Sequence, residues 1–216
     1  LEDIHTQLKK PLGMILVTGP TGSGKTTTLY TMIDILNHPE VNISTVEDPI
    51  EYRMPRVNQT QVKPQIGLSF ANGLRSLLRQ DPDIIMVGEI RDKETAALAI
   101  NAALTGHLVL STLHTNDAAT TLPRLLDMSI EPFLVASTVN IAIAQRLVRK
   151  IHEKCRVSLD ISLEEKKFIE ADSHLKKLFK GKTTVYKGQG CKVCGDTGYS
   201  GRVGIFEVLE LTEDIK

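Results

Sequence analysis

A glycine-rich segment between an apolar run and a helical pattern is the feature that most restricts how this chain can fold. Residues 14–18 (MILVT) have the apolar character of a buried strand, and residues 26–36 read as a helix. Between them, GPTGSGKT at residues 19–26 fits the pattern G-x-x-x-x-G-K-[ST]. Glycines let such a loop turn tightly, so that its backbone N–H groups point inward at phosphate oxygens. The segment therefore predicts a phosphate-binding loop between a strand and a helix.

The positions of this loop have expected roles in holding a nucleotide. Lys25 would reach the β- and γ-phosphates, and the hydroxyl of Thr26 would bind Mg²⁺. The N-terminal end of the following helix adds a favourable partial positive charge. The residues predicted to contact the nucleotide here are Gly19, Pro20, Thr21, Gly22, Ser23, Gly24, Lys25, Thr26 and Thr27.

Short apolar runs alternate with helical patterns along the first 150 residues. Strands are predicted at residues 14–18, 43–46, 57–62, 84–87 and 108–113. Helices are predicted at residues 26–36, 70–79, 93–104, 117–127 and 132–151. Continuous apolar strands that alternate with helices indicate a parallel sheet covered on both faces, so the expected fold class is α/β.

Carboxylates and imidazoles lie beside three of these strands, and ligands bind at the carboxyl ends of strands in open α/β sheets. The candidates are Glu47, Asp48, Glu51, Glu89, His107 and His114. The first three follow the strand at 43–46, the fourth follows the strand at 84–87, and the histidines bracket the strand at 108–113. Carboxylates can hold Mg²⁺ or position an attacking water, and imidazoles can sense the γ-phosphate. Beside a phosphate-binding loop they favour a nucleotide hydrolase over helix caps or solvated loops.

The charge balance bears on the kind of partner. The chain has 216 residues with 26 basic and 26 acidic side chains, so its formal net charge is zero. Binding nucleic acid over the whole protein surface would need an excess of Lys and Arg. We therefore expect no nucleic-acid partner, although a local basic patch is compatible with this composition.

The composition changes near residue 151, and we place a domain boundary there, between 1–150 and 151–216. The second part holds all three cysteines, a charged helix predicted at 163–180 and a strand predicted at 202–211. Cys191 and Cys194 form a C-x-x-C turn that aims two thiolates at one point, and Cys155 lies earlier in the chain. An odd number of clustered cysteines indicates a reducing compartment and a metal site rather than a secreted disulfide framework.

Four ordered motifs resemble those of the bacterial secretion-superfamily hexameric ATPases that drive type II secretion and type IV pilus assembly. They are the Walker A GPTGSGKTTTLY, the Asp box TVEDPIEY, the Walker B LRQDPDIIMVGEIRDKET and the His box TGHLVLSTLHTNDA. They span residues 19–118, and the cysteine region extends the similarity to residue 207. The resemblance implies a RecA-like P-loop NTPase core with a small C-terminal zinc-binding subdomain.

The resemblance also implies catalytic roles. Lys25 and Thr26 would hold phosphate and Mg²⁺, and Glu89 would organise Mg²⁺ and the lytic water. Glu51 is favoured slightly over Glu89 as the general base. Gly88 stands where ordinary P-loop enzymes have an aspartate, which is the family's own pattern and implies a different metal coordination.

Further residues are implied in support of the chemistry. Asp48 and Glu47 would assist the general base, and His107 and His114 would couple the nucleotide state to conformation. The arginines in the same motifs could stabilise charge on the γ-phosphate at a subunit interface, or pair with nearby aspartates. These arginines are Arg75, Arg79 and Arg91.

Family members also carry an N-terminal domain that supplies further arginines. This chain begins 18 residues before the Walker A motif, so we expect that domain to be absent. We therefore expect the chain alone to bind ATP but to turn it over slowly, and turnover matching a full-length protein would refute that expectation.

The family often has Cys-x-x-Cys directly after a segment similar to RLVRK. Here His152 stands at the first cysteine position, and His-x-x-Cys has the same spacing. We therefore expect structural Zn²⁺ held by His152, Cys155, Cys191 and Cys194. The alternatives are a degenerate site with reduced thiols, or a disulfide between Cys191 and Cys194.

The implied function is an Mg²⁺-dependent, ATP-hydrolysing motor for type IV pilus assembly or type II secretion. The family works as a hexamer on the cytoplasmic face of the inner membrane, with an integral-membrane platform protein and a cytoplasmic adaptor as partners. A pilus retraction ATPase is one alternative, but that branch lacks the cysteine region. A RecA-like DNA-translocating ATPase is opposed by the balanced charge, and an ATP-insensitive scaffold by intact Lys25, Glu51 and Glu89.

Overall fold

The computed structural model of the chain describes residues 2–212 and 214–215. Its helices there are α1 (Glu2–Leu8), α2 (Lys25–Leu36), α3 (Phe70–Leu77), α4 (Lys93–Leu104), α5 (Thr121–Asp127), α6 (Pro132–Thr138), α7 (Leu163–Ala171) and α8 (Ser173–Phe179). Its strands are β1 (Gly13–Thr18), β2 (Ile43–Glu47), β3 (Val57–Gln61), β4 (Ile84–Val87), β5 (Leu108–Leu113), β6 (Val139–Ile151), β7 (Arg156–Asp160), β8 (Thr184–Gly188) and β9 (Tyr199–Glu210).

A seven-stranded sheet has the order β3-β2-β4-β5-β1-β6-β9. The neighbouring pairs from β3 to β6 are all parallel. The carboxyl ends of these six strands therefore meet at one edge of the sheet. The expected parallel α/β sheet is confirmed, and the order shows that chain neighbours such as β1 and β2 are not sheet neighbours.

Both faces of the sheet are covered by apolar side chains. Along β1, Met14 and Leu16 belong to one buried cluster, whereas Ile15 and Val17 belong to another. Helices α3, α4 and α6 contribute to the first cluster, and α1 and α2 contribute to the second. This arrangement explains why β1 is a continuous apolar run rather than an alternating one.

Backbone proximity divides the chain into two units. The first contains residues up to Leu147 together with those from Gly204 onward, and the second contains Val148–Val203. The first break lies close to the boundary expected near residue 151, but the end of β9 belongs to the first unit. Within that unit, the N–H of Leu211 donates to the carbonyl of Asn140 at 3.0 Å. The second unit contains an antiparallel pair, β7 and β8, with α7 and α8 in the connection between them.

The helix predicted at residues 132–151 is wrong beyond its first two turns. Helix α6 ends at Thr138, and β6 continues the chain as a strand that pairs in parallel with β1, with Thr18 opposite Ala144. The β-branched residues Val139, Ile141 and Ile143 favour a strand, and partnership with β1 buries them.

Two smaller differences concern helices. The charged helix predicted at 163–180 is interrupted at Asp172, whose carboxylate accepts from the N–H groups of His174 and Leu175 and so begins α8. The helix predicted at 117–127 begins only at Thr121.

The longest helices, α2 and α4, have 12 residues each. Within the described residues, no helix combines the length and the apolar character that crossing a membrane requires.

Candidate functional site

The glycine-rich loop connects the end of β1 to the start of α2, as predicted. Gly19, Gly22 and Gly24 have φ angles of 139°, 76° and 88°, in the region that residues other than glycine rarely adopt. Helix α2 begins directly after Gly24, so the N-terminal end of this helix lies at the loop. The local geometry therefore fits the requirements of a phosphate cradle.

Lys25 reaches back across this loop. Its Nζ donates to the carbonyls of Gly19 at 2.9 Å and Pro20 at 3.1 Å. Burial lowers the pKa of Lys25, and the charge of Glu89 acts in the opposite direction. Lys25 and Glu89 therefore belong to one electrostatic environment, as the two motifs predicted.

The carboxyl ends of β1, β2, β4 and β5 bring the other predicted motifs to the same edge of the sheet. Asp48 and Glu51 follow β2, Glu89 follows β4, and His114 follows β5. Because these strands run parallel in one sheet, residues far apart in sequence lie at the same sheet edge as the glycine-rich loop. The predicted convergence of Walker A, Asp box, Walker B and the end of the His box is thus observed.

Glu89 lies at the centre of an ion-pair cluster. Its carboxylate, 12% exposed, pairs with Arg91 and with His114 Nε2, the latter at 2.9 Å. Arg91 also approaches Asp48, with 3.9 Å between Nη1 and Oδ2. Burial raises the pKa of Glu89, but the hydrogen bonds and charges of Arg91 and His114 outweigh it and lower that pKa. The cluster thus favours the charged form of Glu89 and links three strand ends.

Glu47 lies at the end of β2, as predicted, but its side chain points into the protein. Its side chain is buried and accepts hydrogen bonds from Tyr30 Oη, from Thr45 Oγ1 at 2.6 Å and from Gln59 Nε2 at 3.1 Å. Burial and the neighbouring Glu47 carboxylate raise the pKa of Tyr30 well above its usual range. With its oxygens occupied inside the protein, Glu47 supports the Asp box structurally, and its assignment as a nucleotide-binding residue stays a prediction.

Tyr30 connects α2 with the Asp box, and this contact can be tested. The hydroxyl of Tyr30 donates to Glu47 and accepts from the N–H of Glu51 at 3.3 Å. In Tyr30→Phe, the buried carboxylate loses a donor, so we expect the free energy of unfolding to fall by about 1–3 kcal/mol. Urea unfolding measures this change.

The matched control is Tyr52→Phe, which removes a hydroxyl from a side chain that is 57% exposed. We expect its unfolding free energy to stay within about 0.5 kcal/mol of the wild type. Equal losses in both variants would contradict a specific role for the Tyr30 hydroxyl.

Asp48 and Glu51, unlike Glu47, are exposed. Glu51 follows the end of β2 by four residues, and its backbone is held by Tyr30 while its side chain faces solvent. A carboxylate in this position is accessible to a water molecule, as a general base must be.

The two histidines of the His box lie at opposite edges of the sheet. His114 follows β5 and contacts Glu89, whereas His107 precedes β5 and its carbonyl accepts from the N–H of Gly13, at the start of β1. The length of β5, about 20 Å, separates the two edges. His107 Nδ1 lies 2.9 Å from the carbonyl of Ala102. Within one chain, His107 therefore lies away from the glycine-rich loop, and its role in coupling the nucleotide state to conformation stays a prediction.

The arginines predicted near the γ-phosphate differ in their surroundings. Arg75 pairs with Glu94 at 2.6 Å, rather than with one of the aspartates considered as its partners. Arg79 is exposed. Arg91, 58% exposed, pairs with Glu89 and lies 6.0 Å from the ring centre of Phe70. Arg91 is thus the one of these three that contacts the Walker B carboxylate.

Two sets of contacts at or beside the glycine-rich loop were not predicted. Thr18 Oγ1 donates to the carbonyl of Leu113 at 2.9 Å and accepts from the N–H of Thr115 at 2.8 Å, so it joins the ends of β1 and β5. Gln145, on β6, contacts Ser23 and Thr28. The contact of Gln145 with the loop was not predicted because residues 132–151 were assigned to a helix. Only the pairing of β6 with β1 places Gln145 beside the loop.

A second cluster lies within the unit Val148–Val203. His152, Cys155, Cys191 and Cys194 offer ligand atoms that all lie within 4.8 Å of one another. His152 Nδ1 is 3.4 Å from Cys155 Sγ and 3.5 Å from Cys191 Sγ. Cys194 Sγ is 3.9 Å from Cys155 Sγ and 3.7 Å from Cys191 Sγ. The structure therefore brings together all four side chains of the predicted metal site, and the three cysteines carry free thiols.

Backbone donors surround one of these sulfurs. Cys194 Sγ accepts from the N–H groups of Cys191 at 3.2 Å and Gly198 at 3.3 Å. Burial raises the pKa of Cys194, but these donors and the neighbouring thiols lower it to about 7. Burial raises the pKa of Cys155. The cluster thus already favours one thiolate.

Comparison with known proteins identifies the family that the chain resembles. A family described as "Type II/IV secretion system protein" matches residues 1–216. The type IV pilus assembly ATPase PilB of Myxococcus xanthus is 53% identical over 209 residues, which cover 97% of this chain and 36% of that protein. The type II secretion system ATPase E of Vibrio cholerae is 52% identical over 208 residues, which cover 96% of this chain and 40% of that protein.

Among solved structures, the pilus retraction motor PilT with bound ADP has a TM-score of 0.65 and 39% sequence identity, covering 83% of this chain and 56% of that one. The chain thus spans little more than a third of the length of the two curated relatives. Its sheet, its glycine-rich loop and its Cys/His cluster lie inside the residues that the family matches, 1–216. The chain belongs to the type II/IV secretion system protein family.

Proposed function

We propose that this chain is the ATP-binding and hydrolysing part of a motor for type IV pilus assembly or type II secretion. The convergence of Lys25, Glu89 and His114 at one sheet edge carries the proposal. It supplies a phosphate-binding loop, a carboxylate for Mg²⁺ and a group able to respond to the γ-phosphate in one place. The names of the curated relatives, a pilus assembly ATPase and a secretion ATPase, support the same function.

The residues divide the work of hydrolysis. Backbone N–H groups of residues 19–26 would hold the phosphates, and Lys25 would exchange its carbonyl contacts for β- and γ-phosphate oxygens. Thr26 and Glu89 would hold Mg²⁺, which neutralises phosphate charge when bound. Glu51 would accept a proton from the attacking water. Because Arg91 and His114 pair with Glu89 in this structure, ATP binding would have to rearrange that cluster.

The two catalytic glutamates can be separated by kinetics. Glu89 is held in ion pairs that lower its pKa, so it is a weak base, whereas Glu51 is exposed. We expect Glu51→Gln to lower kcat about 100-fold with little change in ATP affinity. We expect Glu89→Gln to lower kcat and also to raise the Mg²⁺ concentration needed for half-maximal activity. Steady-state ATPase assays of the full-length protein over a range of Mg²⁺ measure both effects.

Glu40→Gln, at an exposed position outside the motifs, is the control and should leave kcat unchanged. If Glu51→Gln retains wild-type turnover, the general base is not Glu51 and the role passes to Glu89.

We also propose that the Cys/His cluster binds structural Zn²⁺. A tetrahedral zinc ion with Zn–S bonds of about 2.3 Å holds its sulfurs about 3.8 Å apart. The two distances from Cys194 Sγ, 3.7 and 3.9 Å, fit this spacing. The expected nitrogen–sulfur spacing of about 3.6 Å is close to the 3.4 and 3.5 Å from His152. Four protein ligands leave no open position, so the metal would stabilise the fold rather than perform chemistry.

The wider assembly follows from family membership as a proposal. The full-length protein would form a hexamer on the cytoplasmic face of the inner membrane and act on a platform protein there. The cysteine region favours assembly or secretion over pilus retraction, which was the main alternative. Deleting the gene in the bacterium that carries it, and scoring surface pili and secreted proteins, distinguishes the two machines. Normal levels of both would contradict the proposal.

A further inference from the structure

We propose that Gln145 is a positioning residue that holds the glycine-rich loop in the conformation that binds phosphate. The inference rests on the proposed ATP-binding function, because it names a residue that prepares that site. Gln145 lies outside the four nucleotide motifs and contacts the loop from the neighbouring strand, β6.

Gln145 uses both ends of its amide on the phosphate-binding segment. It is 4% exposed, and the pairing of Thr18 with Ala144 places it beside the point where β1 becomes the loop. Its Nε2 donates to the carbonyl of Ser23 at 2.7 Å. Its Oε1 accepts from Thr28 Oγ1, in the first turn of α2, at 2.6 Å. One side chain thus joins the loop and the helix that together form the cradle.

The contact with Ser23 fixes the orientation of a peptide plane. The peptide bond between Ser23 and Gly24 is trans, so its carbonyl and its N–H point in opposite directions. Because Gln145 holds the carbonyl on the side of β6, the Gly24 N–H must point away from β6, into the loop. A glycine at φ 88° has the freedom to turn this peptide over, which would direct a carbonyl oxygen at the phosphates. Gln145 opposes that rotation.

Close packing supports the same role. A Cβ added at Gly19 would lie 2.3 Å from the carbonyl oxygen of Gln145, and one added at Gly24 would lie 2.9 Å from Nε2. Two glycines of the loop therefore lie directly against this residue. Gln145 occupies the space that side chains at those positions would need, so the loop and β6 fit one another closely.

Gln145→Glu is the most specific substitution for testing the contact with Ser23. It preserves size and the acceptor for Thr28, but it replaces the donor to Ser23 with a carboxylate oxygen facing a carbonyl oxygen. We expect the affinity for ATP to fall at least about tenfold, since the peptide plane is no longer held and the buried carbonyl loses its donor. Gln145→Met removes the amide without adding charge and should lower affinity at least about fivefold. Isothermal titration with Mg-ATP, at a temperature where circular dichroism shows each variant to be folded, measures both.

Controls separate positioning from general stability. Gln65→Glu introduces the same charge at an exposed position and should bind ATP like the wild type. A Gln145→Glu or Gln145→Met protein that is folded and binds ATP within twofold of the wild type overturns the inference. If Gln145→Glu does not fold, Gln145→Met decides, and failure of both to fold also overturns it, because the role would then be structural. A wild-type chain without ATP affinity would instead refute the proposed function, and this inference with it.

Discussion

ATP turnover by the full-length protein is expected to fall about 100-fold or more in Lys25→Ala. Lys25 Nζ lies across the glycine-rich loop, where it bonds the carbonyls of Gly19 and Pro20. In the reaction it would stabilise charge that develops on the phosphates, and the methyl group of alanine cannot do so. Steady-state phosphate release at saturating Mg-ATP measures the loss.

The control is Lys9→Ala, which removes the same charge from an exposed position before β1 and should retain wild-type turnover. The Lys25→Ala protein should also retain its fold, because an ammonium group contributes little to the apolar core. If Lys25→Ala hydrolyses ATP within threefold of the wild type, Lys25 is not part of the catalytic site.

The largest structural effect is expected from His152→Ala. His152 supplies the only nitrogen among the four ligand atoms of the Cys/His cluster in the described residues. Losing a ligand should weaken zinc affinity by about 100-fold or more. Mutating a residue that only hydrogen-bonds to a ligand already lowers metal affinity by up to about 100-fold. Because zinc stabilises small metal-binding folds, the unit Val148–Val203 should become sensitive to protease. Elemental analysis and limited proteolysis measure the two effects.

His174→Ala is the matched control, since His174 is exposed and lies in the same unit outside the cluster. It should keep about one zinc per chain and the protease resistance of the wild type. Wild-type protein that contains less than half an equivalent of zinc, after purification without chelators, would contradict the zinc proposal. A chelator that leaves the proteolysis pattern unchanged would contradict the stabilising role.

Features set by local sequence could be predicted well. The glycine-rich loop is defined by eight consecutive residues, and its geometry depends on glycines that adopt positive φ. The strands β1, β4 and β5 consist mostly of apolar residues, as expected for a sheet that is buried on both faces. The family resemblance pointed to His152, which stands at the first position of the family's Cys-x-x-Cys, and the structure places it with Cys155 within reach of Cys191 and Cys194.

Features set by pairing between distant segments were missed. The run VNIAIA at residues 139–144 has the apolar content of either a helix or a strand, and β1, more than 100 residues earlier, decides the outcome. Gln145 became visible as a loop contact only once β6 was known to be a strand. For His107, the information was available, because a residue that precedes a parallel strand lies at the opposite edge from one that follows it.

The sequence also could not predict which individual carboxylates are buried. Glu47, Asp48 and Glu51 are within five residues of each other, yet only Glu47 is buried. Two of its three donors, Tyr30 and Gln59, come from α2 and β3, which no local pattern connects with the end of β2.

Equilibrium binding of Mg-ATP to this chain, measured by isothermal titration, tests the central claim most directly. We predict saturable binding of one ATP per chain with a Kd below about 1 mM, since the loop, Lys25 and Thr26 are all provided by this chain. Lys25→Ala should weaken that binding, and Lys9→Ala should not. A folded wild-type chain that shows no saturable binding at millimolar ATP would contradict the claim that the glycine-rich loop is a nucleotide site.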